Sequence, residues 1–165
     1  MTRAGADRVQ VRPARPEDVG ALVALEERVF PTDRLDRRNF RYQLRSPTIT
    51  VLVADYDGEL QGYATLMRRR RSRVAHLASI AVETSGRGLG ARLLAAAEAE
   101  AAGAGCERVR LEVRADNAPA RRLYERAGYR HLGTEPGYYE DGTAADRYEK
   151  RLTPSGPGRP PRGGA

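Results

Sequence analysis

The chain has 165 residues, 40% of them hydrophobic, which suffices for one domain with its own core and not for two. No segment approaches the ~20 consecutive apolar residues of a membrane span, and residues 1–18 lack the apolar centre of a signal peptide. We therefore expect a cytoplasmic protein with no membrane partner. The formal net charge is +7, but Lys150 is the only lysine, so the arginine excess indicates compositional bias more than a nucleic-acid partner.

Cysteine and histidine are too few to indicate a metal centre. Cys106 is the only cysteine, and it can form neither an internal disulfide nor a multi-cysteine site. We interpret Cys106 and His131 as structural residues, and we expect no bound metal because no cluster of ligand residues accompanies them.

In the first half of the chain the apolar residues recur with helical and extended periods in turn. The predicted elements are a strand over 8–14, a helix from Pro16 to about Phe30, a short helix over 36–44, two strands within 48–67 around an Asp57-Gly58 turn, and a strand over 73–82. The arginine run at 68–73 falls at a hairpin tip and has no aromatic residues between its arginines, so we interpret it as a solvated turn and expect no nucleic-acid partner.

The second half begins with a glycine-rich segment and a helix of about four turns, in which Leu89, Leu93 and Ala97 share one face. The remaining elements are a strand over 108–113, a helix over 117–128 with Ala120, Leu123, Tyr124 and Ala127 on one face, and a closing strand within 137–152. The order βααβββαβαββ predicts a mixed α/β fold, in which helices flank a partly antiparallel sheet. Residues 1–152 form the predicted domain, and the Pro/Gly/Arg-rich residues 153–165 a disordered tail.

The glycines Gly86, Gly88 and Gly90 lie between a strand and a helix N-terminus. Unpaired N–H groups and the helix dipole make such a junction suitable for phosphate binding, and Arg87 can add a charged contact. A loop that merely turns tightly would show the same glycines. Leu93 occupies the position of the third glycine of the dinucleotide fingerprint, and no Gly-Lys-Ser or Gly-Lys-Thr follows, so NAD and nucleoside triphosphates are not the expected ligands.

Four segments together resemble the GNAT acetyltransferase superfamily: the glycine turn, "HLASIAV" before it, "LEVRADNAPARRLYERAGY", and "GYYEDGTAADRYEKRL". The third segment is very similar to the RimI-like ribosomal-protein alanine acetyltransferases and related N-terminal acetyltransferases. The resemblance covers about residues 9–152. One departure lies in the glycine loop, which is two residues shorter than the family's and carries Ser85 where Arg or Gln is usual.

The resemblance implies acetyl-CoA as co-substrate and a role for each matching residue. It assigns the general base to Glu112, the acid that protonates the CoA sulfur to Tyr124, and the grip on the peptide backbone to Tyr138 and Tyr139. "FPTDRLDRRNF", which begins with Phe30 and Pro31, resembles the substrate-side loop. The implied cofactor contacts are Ile80, Ala81, Val82, Arg87, Gly88, Leu89, Gly90, Ala91, Asn117 and Tyr124.

Each of these residues also has a structural interpretation. Glu112 alternates onto the strand face that carries Arg110 and Arg114, so a surface ion pair would explain it. Tyr124 could be a core residue, the tyrosine pair could be edge packing, and Asn117 could cap the helix that follows. His76 is predicted on the same strand face as Ile80, where it could act as a second base.

The acceptor is expected to be a primary amine. An α-amine has a pKa of about 8 and lysine one of about 10.4, so deprotonating lysine at neutral pH costs about 3 kcal/mol more. A single carboxylate base therefore favours a protein or peptide N-terminus. Three alternatives stay open. They are a small-molecule amine acceptor, such as a polyamine, aminoglycoside or amino acid; a non-catalytic acyl-CoA-binding module, to which the short loop points; and arginine-driven binding of nucleic acid. A monomer or a homodimer is expected.

Overall fold

The computed structural model describes residues 8–83 and 88–153, which form one seven-stranded sheet with four α-helices. The strands are β1 (Val9–Pro13), β2 (Ile49–Tyr56), β3 (Glu59–Arg68), β4 (Val74–Val82), β5 (Arg108–Arg114), β6 (Arg130–Glu135) and β7 (Ala145–Arg151). The helices are α1 (Val19–Val29), α2 (Arg37–Arg45), α3 (Leu89–Gly103) and α4 (Ala118–Arg126), and a 3-10 turn (Pro16–Asp18) precedes α1. The predicted order of strands and helices, and the mixed α/β class, are confirmed.

The strands lie in the order β1-β2-β3-β4-β5-β7-β6, and every neighbouring pair is antiparallel except β4 and β5. A tight turn at Asp57 and Gly58 joins β2 to β3, and both residues have positive φ (56° and 89°), as a type I′ hairpin turn requires. The arginine run forms the turn between β3 and β4, as predicted.

Helices cover the sheet on both faces. On one face α3 and α4 pack over a core that includes Leu93, Leu111 and Tyr148. On the other face α1 and α2 pack over a second core that includes Leu22 and Tyr63. Leu89, Leu93 and Ala97 are all buried, which confirms the predicted inner face of α3. No helix within residues 8–83 and 88–153 has the length and apolar character of a bilayer-crossing segment.

A β-bulge in β4 changes the expected direction of one side chain. Thr65 pairs with Ser79 and Leu66 with Leu77, so Ala78 is the extra residue. The alternation of side chains reverses at that point: Leu77 and Ile80 both face the core under α3. His76 therefore lies on the opposite face from Ile80, and the prediction that they share a face is wrong.

The end of the domain also differs in detail from the sequence interpretation. The closing strand β7 begins only at Ala145, because residues 136–144 form a turn region after β6.

Asn117 accepts a hydrogen bond from the backbone N–H of Ala120 (3.2 Å) and caps α4. The interpretation of residues 154–165 as a tail lies outside the described residues.

Candidate active site

The parallel strands β4 and β5 separate after three residue pairs. Val74, Ala75 and His76 pair with Arg108, Val109 and Arg110, and no later residue of β4 pairs with β5 in the described part of the chain. β4 nevertheless continues to Val82 and β5 to Arg114. The two strands thus enclose a cleft, and alternate backbone groups along the inner edge of β4, which includes Ile80, Ala81 and Val82, can bond an extended ligand there.

Helix α3 begins beside this cleft at Gly88. This N-cap residue has φ +74°, a left-handed conformation that glycine adopts without strain. Among the described residues the first hydrogen bond of the helix is from Arg92 N to Gly88 O (3.1 Å), and the N–H groups of Leu89, Gly90 and Ala91 have no partner there and can point to an anion. Arg87 and the shortened loop with Ser85 lie outside the described residues.

Helix α4 packs against this first turn of α3. A Cβ atom added at Gly90 would lie 3.4 Å from a methyl group of Leu123, the residue before Tyr124. The two helices therefore contact each other two residues after the Gly88 cap and one residue before Tyr124.

Glu112 lies two residues beyond the last pair of β4 and β5, and its side chain is 17% exposed. Its Oε1 atom is 2.7 Å from Nε2 of His76, and its Oε2 atom is 3.6 Å from Nη1 of Arg147. Arg110 pairs instead with Glu149, and Arg114 with Asp116 and Asp141. The sequence suggested an ion pair of Glu112 with Arg110 or Arg114, and this is wrong. The carboxylate instead contacts His76 of β4 and Arg147 of β7.

Tyr124 is 4% exposed, and its ring contacts those of Tyr129 and Tyr148. Burial raises the pKa of its hydroxyl above the ordinary value, and the nearby phenol of Tyr139 raises it further. No other described residue forms a hydrogen bond with this hydroxyl. Tyr124 thus packs as a core residue, as its helix face indicates. Its O–H group has no hydrogen-bond partner among the described residues.

Tyr138 and Tyr139 lie in the turn before β7, with their rings edge to face at 4.9 Å. The guanidinium of Arg114 lies over Tyr139 (4.9 Å), and that of Arg147 lies over Tyr138 (5.8 Å). Arg147 thus links the tyrosine pair to Glu112. Tyr138 is 46% exposed, so the pair presents a ring to solvent beside the catalytic candidates.

A buried carboxylate that we did not identify from the sequence supports the opposite side of the cleft. Glu26 is 1% exposed; its Oε2 accepts a hydrogen bond from the Tyr63 hydroxyl, and its Oε1 accepts one from the backbone N–H of Leu35 (2.8 Å). The Tyr63 oxygen is also 3.0 Å from Oγ of Ser79, next to the bulge. The only sequence signal is an acidic residue on the apolar face of α1, directly after Leu25.

Glu26 also holds the segment that contains the two predicted substrate-side residues. Leu35 is at the far end of the α1–α2 connection, and Phe30 and Pro31 are at its start. Phe30 packs against the core under α1 and α2, whereas Pro31 is exposed. Their assignment to the acceptor stays a prediction.

The two residues interpreted as structural are both engaged in packing. Cys106 is buried under α3, and burial raises the pKa of its thiol. His131 lies 3.0 Å from Asp146 and packs edge to face on Tyr148. Within the described residues, no group of three His, Cys, Asp or Glu side chains could hold a metal ion.

Comparison with known proteins agrees with this architecture. Residues 19–129 match the model of the Acetyltransferase (GNAT) family. The chain belongs to the GNAT family. This membership places it among the acetyl-CoA-dependent N-acetyltransferases, and the predicted cofactor and enzyme class are confirmed at this level.

Three GNAT relatives show how far the similarity extends. The chain is 32% identical over 130 residues to a mycothiol acetyltransferase of Clavibacter michiganensis, a match of 74% of this chain and only 42% of the relative. It is 30% identical over 154 residues to an N-alpha-acetyltransferase of Sulfurisphaera tokodaii, covering 82% and 89% of the two chains. The crystal structure of the ribosomal-protein-S18-alanine N-acetyltransferase of Escherichia coli superposes with a TM-score of 0.78, at 24% identity over 91% of this chain and 97% of that one, which establishes the shared fold.

Proposed function

We propose that this chain transfers the acetyl group of acetyl-CoA to the α-amino group of a protein or peptide N-terminus. The observation that carries the proposal is the separation of β4 from β5 at Glu112, because the end of β4 and helix α4, which carries Tyr124, both contact the first turn of α3. The tyrosine pair beside Glu112 supports a peptide acceptor. The Sulfurisphaera relative, an N-alpha-acetyltransferase, favours the same acceptor class.

The residues present fit acetyl-CoA, which when bound supplies the thioester that the amine attacks. The N–H groups of Leu89, Gly90 and Ala91, which have no partner among the described residues, suit its pyrophosphate. The β4 edge from Ile80 to Val82 suits the amide groups of its pantetheine arm, and Asn117 lies at the start of α4 beyond it. These contacts are part of the proposal.

Glu112 is the proposed general base. A new bond between the amine nitrogen and the acetyl carbon requires a neutral amine, so a proton must leave the ammonium, and Glu112 accepts it directly or through water. His76 and Arg147 hold the two carboxylate oxygens and fix their direction. We treat His76 as a positioning residue because it contacts Glu112.

Tyr124 is the proposed general acid. As the bond between the acetyl carbon and the sulfur breaks, the thiolate takes a proton, and the Tyr124 hydroxyl can provide it. The raised pKa keeps this hydroxyl protonated throughout the neutral range. Its lack of a hydrogen-bond partner among the described residues leaves the proton free for the sulfur.

Mass spectrometry of a peptide mixture incubated with the protein and acetyl-CoA tests the proposal. We expect acetylation at free α-amino groups and none on peptides whose α-amine is blocked but which contain lysine. Glu112→Gln should lower the rate about 10²- to 10⁴-fold. Glu135→Gln is the matched control, since Glu135 also contacts Arg147 (3.2 Å) from β6, and it should keep most of the activity. If the protein binds acetyl-CoA but acetylates no peptide, a peptide acceptor is excluded.

The mycothiol acetyltransferase relative favours a second candidate, a small-molecule amine as acceptor. The same assay with a panel of polyamines, aminoglycosides and amino acids separates the two. Free thiol released with any amine would exclude the non-catalytic acyl-CoA-binding module, and no release with any of them would support it.

A further inference from the structure

One end of the sheet, away from Glu112, collects arginines from several strands. Arg108 begins β5 and pairs with Arg151, which ends β7, and Arg130 begins β6 and pairs with Glu149. The turn between β3 and β4 lies at the same end of the sheet, because the backbone N–H of Glu107, just before β5, donates to the backbone oxygen of Arg73 (2.6 Å). The sheet therefore places residues that are distant in sequence on one surface.

An open cavity of about 360 Å³ lies at this end. Its lining residues are Arg108, Gly128, Arg130, Glu149, Lys150 and Arg151. Four of these six residues are basic, one is acidic and one is glycine. The cavity is large enough for a phosphate group with its bound water.

The acidic residues of this region are already paired. The Glu149 carboxylate is 2.6 Å from Nε of Arg110 and 3.6 Å from Nη1 of Arg108, and Lys150 is paired with Glu98 (2.9 Å). Hydrogen bonding from Arg110 lowers the pKa of Glu149, and the charges of the surrounding arginines lower it further.

Two cavity arginines form no salt bridge within the described residues. Arg130 and Arg151 are exposed, and neither forms a salt bridge with an acidic residue of the described chain. An unpaired guanidinium keeps its full fork of N–H donors for an external anion.

The hairpin turn extends this cationic surface. Arg69, Arg70 and Arg71 are exposed and form no salt bridge within the described residues, whereas Arg73 is paired with Glu107. A single anion would occupy only the cavity. A row of anions spaced along a chain would also reach the turn, as the phosphates of a nucleic acid do.

We propose that this surface, the basic end (Arg69, Arg70, Arg71, Arg108, Arg130 and Arg151), binds the phosphodiester backbone of a nucleic acid. The basic end contains no aromatic ring for base stacking, so recognition is through phosphates and independent of sequence. Composition alone favoured the opposite expectation, because it shows neither which arginines lack partners nor that they lie together.

Fluorescence anisotropy with labelled RNA and DNA duplexes tests this proposal on the full chain. We expect binding to at least one duplex, with the logarithm of the affinity falling linearly with the logarithm of the salt concentration. Arg130→Glu/Arg151→Glu should weaken binding at least about tenfold. The matched control is Arg38→Glu/Arg41→Glu on α2, which changes the charge equally at exposed arginines without described salt bridges and should leave binding within about twofold.

Three results would overturn the proposal. Equal losses in the two double variants would make the binding a net-charge effect. Displacement of the duplex by saturating acetyl-CoA would place it at the cofactor site. Binding of inorganic phosphate without either duplex would make the cavity a free-anion site. If the Arg130/Arg151 variant unfolds, Arg69→Ser/Arg70→Ser/Arg71→Ser in the exposed turn provides the same comparison.

Discussion

The Nε2 atom of His76 lies 2.7 Å from Oε1 of Glu112, and this contact bridges β4 and β5 where their backbone pairing ends. Glu112 therefore has a defined orientation at the base of the cleft, where Arg147 contacts its other carboxylate oxygen. His76 pairs with Arg110, two residues before Glu112, so the pairing of the two strands places His76 and Glu112 on the same face of the sheet.

Removal of the His76 contact should affect catalysis more than binding. We expect His76→Ala to lower kcat about tenfold, which corresponds to ~1.4 kcal/mol, with an unchanged Kd for acetyl-CoA. His76→Gln should restore most of the activity, because its amide can still donate to Glu112. Steady-state kinetics and calorimetry measure both quantities. Equal loss in the two variants would show that His76 does more than position the carboxylate.

Tyr124→Phe should separate chemistry from packing. The ring is retained, and the hydroxyl has no partner among the described residues, so we expect an unchanged Tm together with a kcat about 10²-fold lower. Tyr129→Phe is the control: its hydroxyl donates to Glu98 (2.9 Å), so this variant should lose about 1 kcal/mol of stability and keep its activity. Full kcat in the Tyr124→Phe variant would exclude Tyr124 as the general acid.

The raised pKa of Tyr124 predicts a specific pH dependence. A group with a raised pKa retains its proton to higher pH, so the wild-type kcat should show no alkaline decline from loss of this proton up to about pH 10, the ordinary tyrosine value. A pH–rate profile with saturating substrates measures this. A decline below pH 9 that is absent from Tyr124→Phe would contradict it.

Glu26 and Tyr63 should be energetically coupled. Tyr63→Phe removes the donor of this buried hydrogen bond, and Glu26→Gln replaces one of the two acceptor oxygens with an NH2 group, so each should cost about 1–3 kcal/mol in the free energy of unfolding. The double variant should cost less than the sum, with a coupling energy of about 1–2 kcal/mol. Denaturant unfolding of the four proteins measures this cycle. Glu27→Gln, at the exposed neighbouring position, serves as the control, and additive losses would contradict the contact.

Asp146 should contribute a pH-dependent part of the stability. Hydrogen bonds from Thr134 and His131 lower the pKa of this 9% exposed carboxylate in the folded state. A lowered folded pKa gives stability that is present above the unfolded pKa of about 3.9 and is lost as the pH falls through the folded value. Asp146→Asn should thus be less stable than wild type at pH 7, and the gap should close below about pH 4. Thermal unfolding across this range measures it, and a constant gap would exclude the electrostatic origin.

Local signals were sufficient for most of the fold. The turn at Asp57-Gly58, the glycine segment that opens α3 and the Asn117 cap depend on residues adjacent in sequence; the first two were predicted in their places, and the cap was one of two interpretations of Asn117. The inner face of α3 followed from a four-residue recurrence. By contrast, a bulge leaves no mark on strand periodicity, and the face of His76 was therefore predicted incorrectly.

The sequence by itself determined the α/β class and the order of the elements, since these depend on periodicity. Its resemblance to the GNAT family made Glu112 and Tyr124 the catalytic candidates. The tertiary structure alone decided which partners these residues meet. The His76–Glu112 contact joins residues 36 positions apart, and Glu26–Tyr63 joins residues 37 apart. The pairing of β4 with β5 brings the first two residues together, and the packing of α1 against β3 brings the second two together. The same holds for the basic end, where the order of strands brings together arginines of β5, β6 and β7.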